Sequence, residues 1–225
     1  MDFSKSFKAL EETLERIFSG YKESYFHDDF SIIERRGGAD MSLIKRRIPH
    51  LQLTVEVGVQ KGLFSKRIHD SLRPRVHYCI DSWKHFDVGY EEDSANVSDE
   101  EHERRYAATR ELFKEEIKNG TVKLIRDSSV NALRRIPEGS IDFIYIDANH
   151  NYSFARDDLF HATGIVKSGG IIGGHDFTRP GIKQAVAEIC EQTRFKLIAY
   201  GLCCSSYYLM QPFDEEAQGP RLRPD

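Results

Sequence analysis

Five short apolar runs set between helix-like segments constrain this chain more than any other feature. LQLTVEVG (51–58), VHYCID (76–81), TVKLIRD (121–127), IDFIYID (141–147) and GIIGG (170–174) read as strands. Each is a brief apolar stretch, most of them β-branched or aromatic in character, bounded by turn residues. Between them LFSKRIHDSL, VNALRRI and a segment from about Phe154 to Val166 carry helical spacing. Strands alternating with helices favour a parallel sheet, because a parallel neighbour is reached only through a crossover. The carboxyl ends of such strands lie on one edge, where open α/β folds place their ligands.

The flanks add less regular pieces. Phe3, Phe7, Leu10, Leu14 and Ile17/Phe18 recur at helical spacing and predict a helix ended by Gly20, a stripe for packing or for an oligomer contact such as a homodimer. Residues 21–40 mix aromatics with charges and give no element; Met41 to Arg47 reads as a short helix capped by Asp40. After strand GIIGG come a helix, GIKQAVAEICEQ, and the runs FKLIAY and SSYYLMQ joined by GLCC, expected to form an antiparallel hairpin that closes one sheet edge. The expected organisation is an N-terminal helical addition (1–50), a main domain (51–211) and a flexible polar tail (212–225).

One piece interrupts the alternation. Between the second and third strands, residues 82–120 exceed a plain crossover. Asp99 to Lys118 reads as a helix, and the stretch before it, with Trp83, His85, Phe86 and Tyr90, reads as a loop over the strand ends: either an aromatic wall for a ligand or a small core of its own. Insertions of this length in compact domains are often lids.

Composition narrows the function. The 225 residues are 40% hydrophobic and 30% charged, enough for one sizeable core. With 32 Lys+Arg against 36 Asp+Glu, the net charge of −4 supplies no basic field for nucleic acid. Cys79, Cys190, Cys203 and Cys204 show no C-x-x-C spacing, which suits a reducing cytoplasm. No uncharged apolar run reaches the ~18 residues of a membrane span, and the N-terminus has no signal-like apolar core, so a soluble protein without a membrane partner is expected.

The chemistry gathers at the strand ends. Glu56, Gly58 and Gly62 form E-x-G-x-x-x-G between a strand and a helix, a turn in which glycine lets backbone approach a ligand. It is not the dinucleotide fingerprint, which needs glycine where Glu56 stands. Asp81 ends the second strand, 25 residues on, where a carboxylate suits two ribose hydroxyls. Asp147 and His150 follow the fourth strand, and His175 and Asp176 the fifth, so these four side chains can share one cleft. As isolated features, Asp147 and Asp81 would more often be helix caps, and His175–Asp176 would equally suit a structural hydrogen-bonded pair.

VEVGVQKG, CID, RDS and IDFIYID, in that order, resemble the motif set of class I S-adenosylmethionine (SAM)-dependent methyltransferases over about Leu51 to Gln211. The resemblance implies a Rossmann-like, doubly wound, seven-stranded, mostly parallel sheet with an antiparallel C-terminal hairpin. It implies that Glu56, Gly58, Gly62 and Ser65 lie on the methionine side of SAM. Asp81 and Ser82 would meet the ribose, Asp127 and Ser128 would flank the adenine, and Asp147 would border the cofactor. D-x-x-H at 147–150, with His175-Asp176 after the fifth strand where those enzymes carry an acidic pair, is similar to small metal-dependent O-methyltransferases of the catechol, caffeoyl-CoA and macrolide-sugar type. That similarity implies a divalent metal, with Mg²⁺ as the family's usual ion, on Asp147 and Asp176, and His150 as general base for a small hydroxylated acceptor, a sugar or phenolic unit. His175 departs from the Asp-Asn pattern; it can ligate a softer metal, act as a second base or orient Asp176. The alternatives are a metal-independent methyltransferase, a metal-dependent hydrolase or hydroxylase-like protein using the His/Asp cluster, and a noncatalytic SAM-binding protein.

Overall fold

The computed structural model describes residues 41–87, 95–200 and 206–212 together with Lys8, 25–26 and 30–33. The predicted N-terminal helix, the Asp40 cap, Cys203, Cys204, Tyr90 and most of the tail lie outside these residues. The elements are β1 (Tyr25–Phe26), β2 (Phe30–Ile33), α1 (Met41–Arg47), β3 (Leu53–Val57), α2 (Leu63–Leu72), β4 (Val76–Asp81), α3 (Asp99–Leu112), α4 (Lys114–Lys118), β5 (Val122–Arg126), α5 (Ser129–Leu133), β6 (Ile141–Ile146), α6 (Tyr152–Ile165), β7 (Val166–His175), α7 (Pro180–Gln192), β8 (Lys196–Tyr200) and β9 (Ser206–Met210).

One sheet runs in the order β1-β2-β8-β9-β7-β6-β3-β4-β5. Its Rossmann-like centre is parallel, with β6 beside β3, β3 beside β4, β4 beside β5 and β6 beside β7. β9 runs antiparallel to both β7 and β8. This contains the seven-stranded, mostly parallel sheet expected, with two additions. The hairpin does not end the sheet, because β2 pairs in parallel with β8 and β1 follows it. The N-terminal addition is therefore not only helical.

Alternation along each strand sorts side chains to two faces. Val55, Val57, Ile144, Ile146, Ile172 and Leu209 pack beneath α5, α6 and α7, where Leu133, Leu159 and Val186 are buried. Phe143, Tyr145, Ile171 and Tyr208 face the other way, against Ile44 of α1 and Ile68 and Leu72 of α2. All six β6 residues are buried, and apart from Asp142 near its start this central strand is apolar throughout. Truncating Leu159 to alanine in this core would cost ~2–5 kcal/mol.

The insertion has a core of its own, in which Trp83, Val59, Cys79, Phe113 and Val122 meet. α3 starts at Ser98, whose Oγ accepts the Glu101 N–H at 3.4 Å, with three acids in its first turn. The helix expected over Asp99 to Lys118 is broken at Phe113: its ring is drawn fully into that small core, and φ −110° sets α4 off from α3.

Candidate active site

At the end of β3 the chain turns through three left-handed residues, Gly58 (φ 89°), Gln60 (φ 50°) and Gly62 (φ 75°). For Gln60 this conformation is unfavourable by ~1–2 kcal/mol, so something must hold it. Its N–H donates to Asp81 Oδ2 at 2.8 Å, and its carbonyl accepts from Trp83 Nε1 at 2.8 Å and from Thr109 Oγ1 at 3.3 Å. Asp81 Oδ1 accepts the Trp83 N–H at 2.7 Å. The strand-end acid, the glycine turn and the insertion are thus one hydrogen-bonded unit, with Ser82 half-buried between Asp81 and Trp83. Of the two readings for the aromatics, Trp83 follows the core reading, being fully buried.

Glu56 and Ser65 lie beneath the turn. The Ser65 hydroxyl donates to the Glu56 carboxylate, and Cys79 Sγ approaches Ser65 Oγ at 3.4 Å. Burial pushes the Glu56 carboxyl well above its usual range; Ser65 opposes this, while the charges of Asp147 and Asp81 add to it. Three acids on adjacent strand ends therefore bear on one another, a setting that favours a cationic ligand.

Asp127 and Ser128 follow β5 next to Asp81, whose carbonyl accepts the Asp127 N–H at 3.1 Å. Both serve local structure. Ser128 Oγ caps α5 by accepting the Asn131 N–H at 3.4 Å, and Asp127 accepts from Ser128 N at 2.8 Å and from Arg135 at 2.7 Å.

The second half of the site forms where β6 and β7 end side by side. The donor atoms of Asp147, His175 and Asp176 lie within 4.8 Å of one another. His150 Nε2 is 2.9 Å from Asp176 Oδ2, and His175 Nδ1 is 3.0 Å from the same oxygen. Arg179, on the next turn, places Nε 3.6 Å from Oδ1. Burial works against the charge of Asp176, but the His175 hydrogen bond and the charges of His175, His150 and Arg179 outweigh it and hold the carboxyl below its ordinary range. Asp176 is left-handed, φ 53°, and such strain in a non-glycine residue is characteristic of functional positions.

Two glycines bring these parts together. A Cβ on Gly58 would fall on the Asp147 carbonyl oxygen, so the cofactor-type turn presses directly on the Asp147 loop. A Cβ on Gly181 would likewise fall on the His150 carbonyl, so the start of α7 seats the His150 loop. Gln60, Thr109, Arg179 and Gly181 are absent from the sequence expectations. The signals for the last two are slight: Arg179 stands three residues beyond Asp176, and Pro180-Gly181 opens a helix.

The strand order and the acids and histidines gathered at the strand ends are those of a SAM-dependent methyltransferase. The chain belongs to a family described as a methyltransferase domain, whose profile matches residues 55–177. Among solved structures it is similar to the O-methyltransferase NovP, at 18% identity over 76% of this chain and 79% of that one, with a TM-score of 0.55. A protein from Corynebacterium glutamicum gives 14% identity, coverage of 82% and 85%, and a TM-score of 0.57. A candidate rRNA-methylase from Clostridium thermocellum gives 12% identity, coverage of 80% and 94%, and a TM-score of 0.55. At these identities the likeness concerns the fold. No curated protein sequence matches the chain. Among the described residues no helix is long and apolar enough to cross a membrane.

Proposed function

We propose that the protein methylates a hydroxyl group of a small acceptor, with His150 taking the hydroxyl proton and Asp147, His175 and Asp176 holding a divalent cation. The observation that carries this is the convergence of three ligand-capable side chains within 4.8 Å, with His150 2.9 Å from one of them. In the reaction the acceptor oxygen bonds to the methyl carbon, the sulfonium C–S bond breaks to release S-adenosylhomocysteine, and the O–H proton passes to the imidazole. Asp176, with Oδ2 2.9 Å from His150 Nε2, balances the imidazolium that forms. The cofactor's positive sulfonium and ammonium suit a pocket edged by Glu56, Asp81 and Asp147.

Two carboxylates and one imidazole fit a divalent cation, and the nitrogen donor moves the preference from Mg²⁺ toward Mn²⁺, Fe²⁺ or Zn²⁺. When bound there, a cation lowers the pKa of a coordinated hydroxyl and fixes its direction. The sugar or phenolic character of the acceptor rests on similarity to small O-methyltransferases alone.

The closeness of His150 to Asp176 also supports a metal-independent reading, because the carboxylate stabilises a protonated base without a cation. Calorimetric titration with S-adenosylhomocysteine, followed by methyl-transfer assays on hydroxylated acceptors before and after chelation, separates the two. The proposal expects chelation to abolish transfer, Mn²⁺ to restore it better than Mg²⁺, and Asp147→Asn to remove the metal response. Full activity after chelation would establish the metal-independent form.

A further inference from the structure

Helix α3 lies on the glycine turn along one stripe, His102, Tyr106 and Thr109, spaced by four and three residues. Thr109 bonds the Gln60 carbonyl, and its methyl group takes the space that a side chain at Gly62 would need, 2.9 Å from a Cβ placed there. The Tyr106 ring lies 4.8 Å from that of Trp83, with the Arg126 guanidinium 4.9 Å from its centroid. His102 completes the stripe. It is 8% exposed, and its Nε2 is enclosed without a hydrogen-bond partner among the described residues.

That nitrogen is an anomaly in a well-satisfied neighbourhood. The base of the insertion is otherwise paired, with His85 N–H donating to Asp99 Oδ1 at 2.8 Å, Phe86 and Asn96 exchanging two bonds, and Arg105 donating to the Ala95 carbonyl at 3.0 Å. Asp81, Arg105, Asp99 and His85 are the charged or titratable groups that act on the ring, and burial keeps it neutral. An enclosed polar atom left unpaired is costly, so its persistence points to a partner that arrives with a ligand.

We infer that His102 is a cofactor-contacting residue, its Nε2–H donating to a ribose hydroxyl of SAM that itself donates to Asp81, so that α3 forms one wall of the cofactor site. The chemistry of the diol requires such a donor. Asp81 already accepts one backbone N–H on each oxygen, from Gln60 and Trp83, and its remaining lone pairs can accept the two hydroxyl protons. The hydroxyl oxygens then need donors that a carboxylate cannot supply. A neutral imidazole in its Nε2–H form supplies one.

The inference rests on Asp81 as the ribose-binding acid. Calorimetry with S-adenosylhomocysteine and its 2′-deoxy and 3′-deoxy analogues tests both. His102→Phe should bind S-adenosylhomocysteine about 10-fold more weakly, His102→Gln should recover most of the loss, and the analogue lacking the contacted hydroxyl should bind wild type and His102→Phe alike. Equal affinity of wild type and His102→Phe for S-adenosylhomocysteine would overturn it, as would the same loss with all three ligands, which marks a purely structural role. If wild type binds and Asp81→Asn does not weaken binding, the ribose assignment fails, and the inference with it. If wild type binds none of them, the cofactor assignment fails before His102 is at issue.

Discussion

Gly58 shows how one residue sets the geometry of the whole site. Its positive φ and its contact with the Asp147 carbonyl leave no room for a side chain. Gly58→Ala should lose ~1–3 kcal/mol of stability from the backbone alone. The displaced Asp147 loop should add a loss of S-adenosylhomocysteine binding, both visible in thermal unfolding with and without that ligand. Other residues were legible to different degrees. Asp147, His150, His175 and Asp176 could be found because each follows the end of an apolar run, and parallel strands bring those ends together. Ser128 and Asp127 were equally visible in position, yet both are engaged in starting α5, a duty any serine or acid after a strand can have. His102 could not be found, since its meaning depends on which side of α3 meets the turn.

At the scale of elements the insertion matters most, and Trp83 is its fastening. The indole fills the small core beside Phe113 and Val59 while its N–H holds the Gln60 carbonyl in a left-handed turn. Trp83→Phe keeps most of the apolar contact and deletes the donor. It should cost about 1–3 kcal/mol and weaken S-adenosylhomocysteine binding with little change in helix content, measured by denaturant titration, calorimetry and circular dichroism. Most central elements could be read from periodicity within a residue or two, because burial on both faces writes long apolar runs. The position of β9 could not. A hairpin pairs the same way whichever of its strands lies inward, and only the burial of four of the five β9 residues reveals the inner one. Strands β1 and β2 were hidden for the opposite reason: two and four residues are too few to show a period.

For the molecule as a whole, two buried titratable groups act in opposite directions. Burial raises Asp158 to about 7, with Ser129 opposing, and lowers His77 to about 3. Folded Asp158 keeps a proton that the unfolded chain has lost, so its contribution is complete below pH ~4 and disappears as pH rises through 7. Folded His77 refuses a proton that the unfolded chain accepts below ~6.5, so its contribution is lost as pH falls. Between pH ~4 and ~6.5 the two slopes oppose each other, each up to about 1.4 kcal/mol per pH unit. Urea midpoints across that range should therefore show Asp158→Asn gaining stability with rising pH more steeply than wild type. His77→Leu should do the reverse. Unchanged slopes in both variants would contradict this account.

The contact between Gly58 and the Asp147 carbonyl also bears on the order of events in catalysis. The turn that would receive the donor and the loop that would receive the acceptor are one surface, separated by no side chain. Seating the cofactor on the turn therefore shapes the place of the acceptor, and turnover should follow a compulsory sequence: cofactor first and acceptor second, with S-adenosylhomocysteine the last to leave. In steady-state kinetics S-adenosylhomocysteine would then compete with SAM alone, while the methylated product would compete with neither substrate.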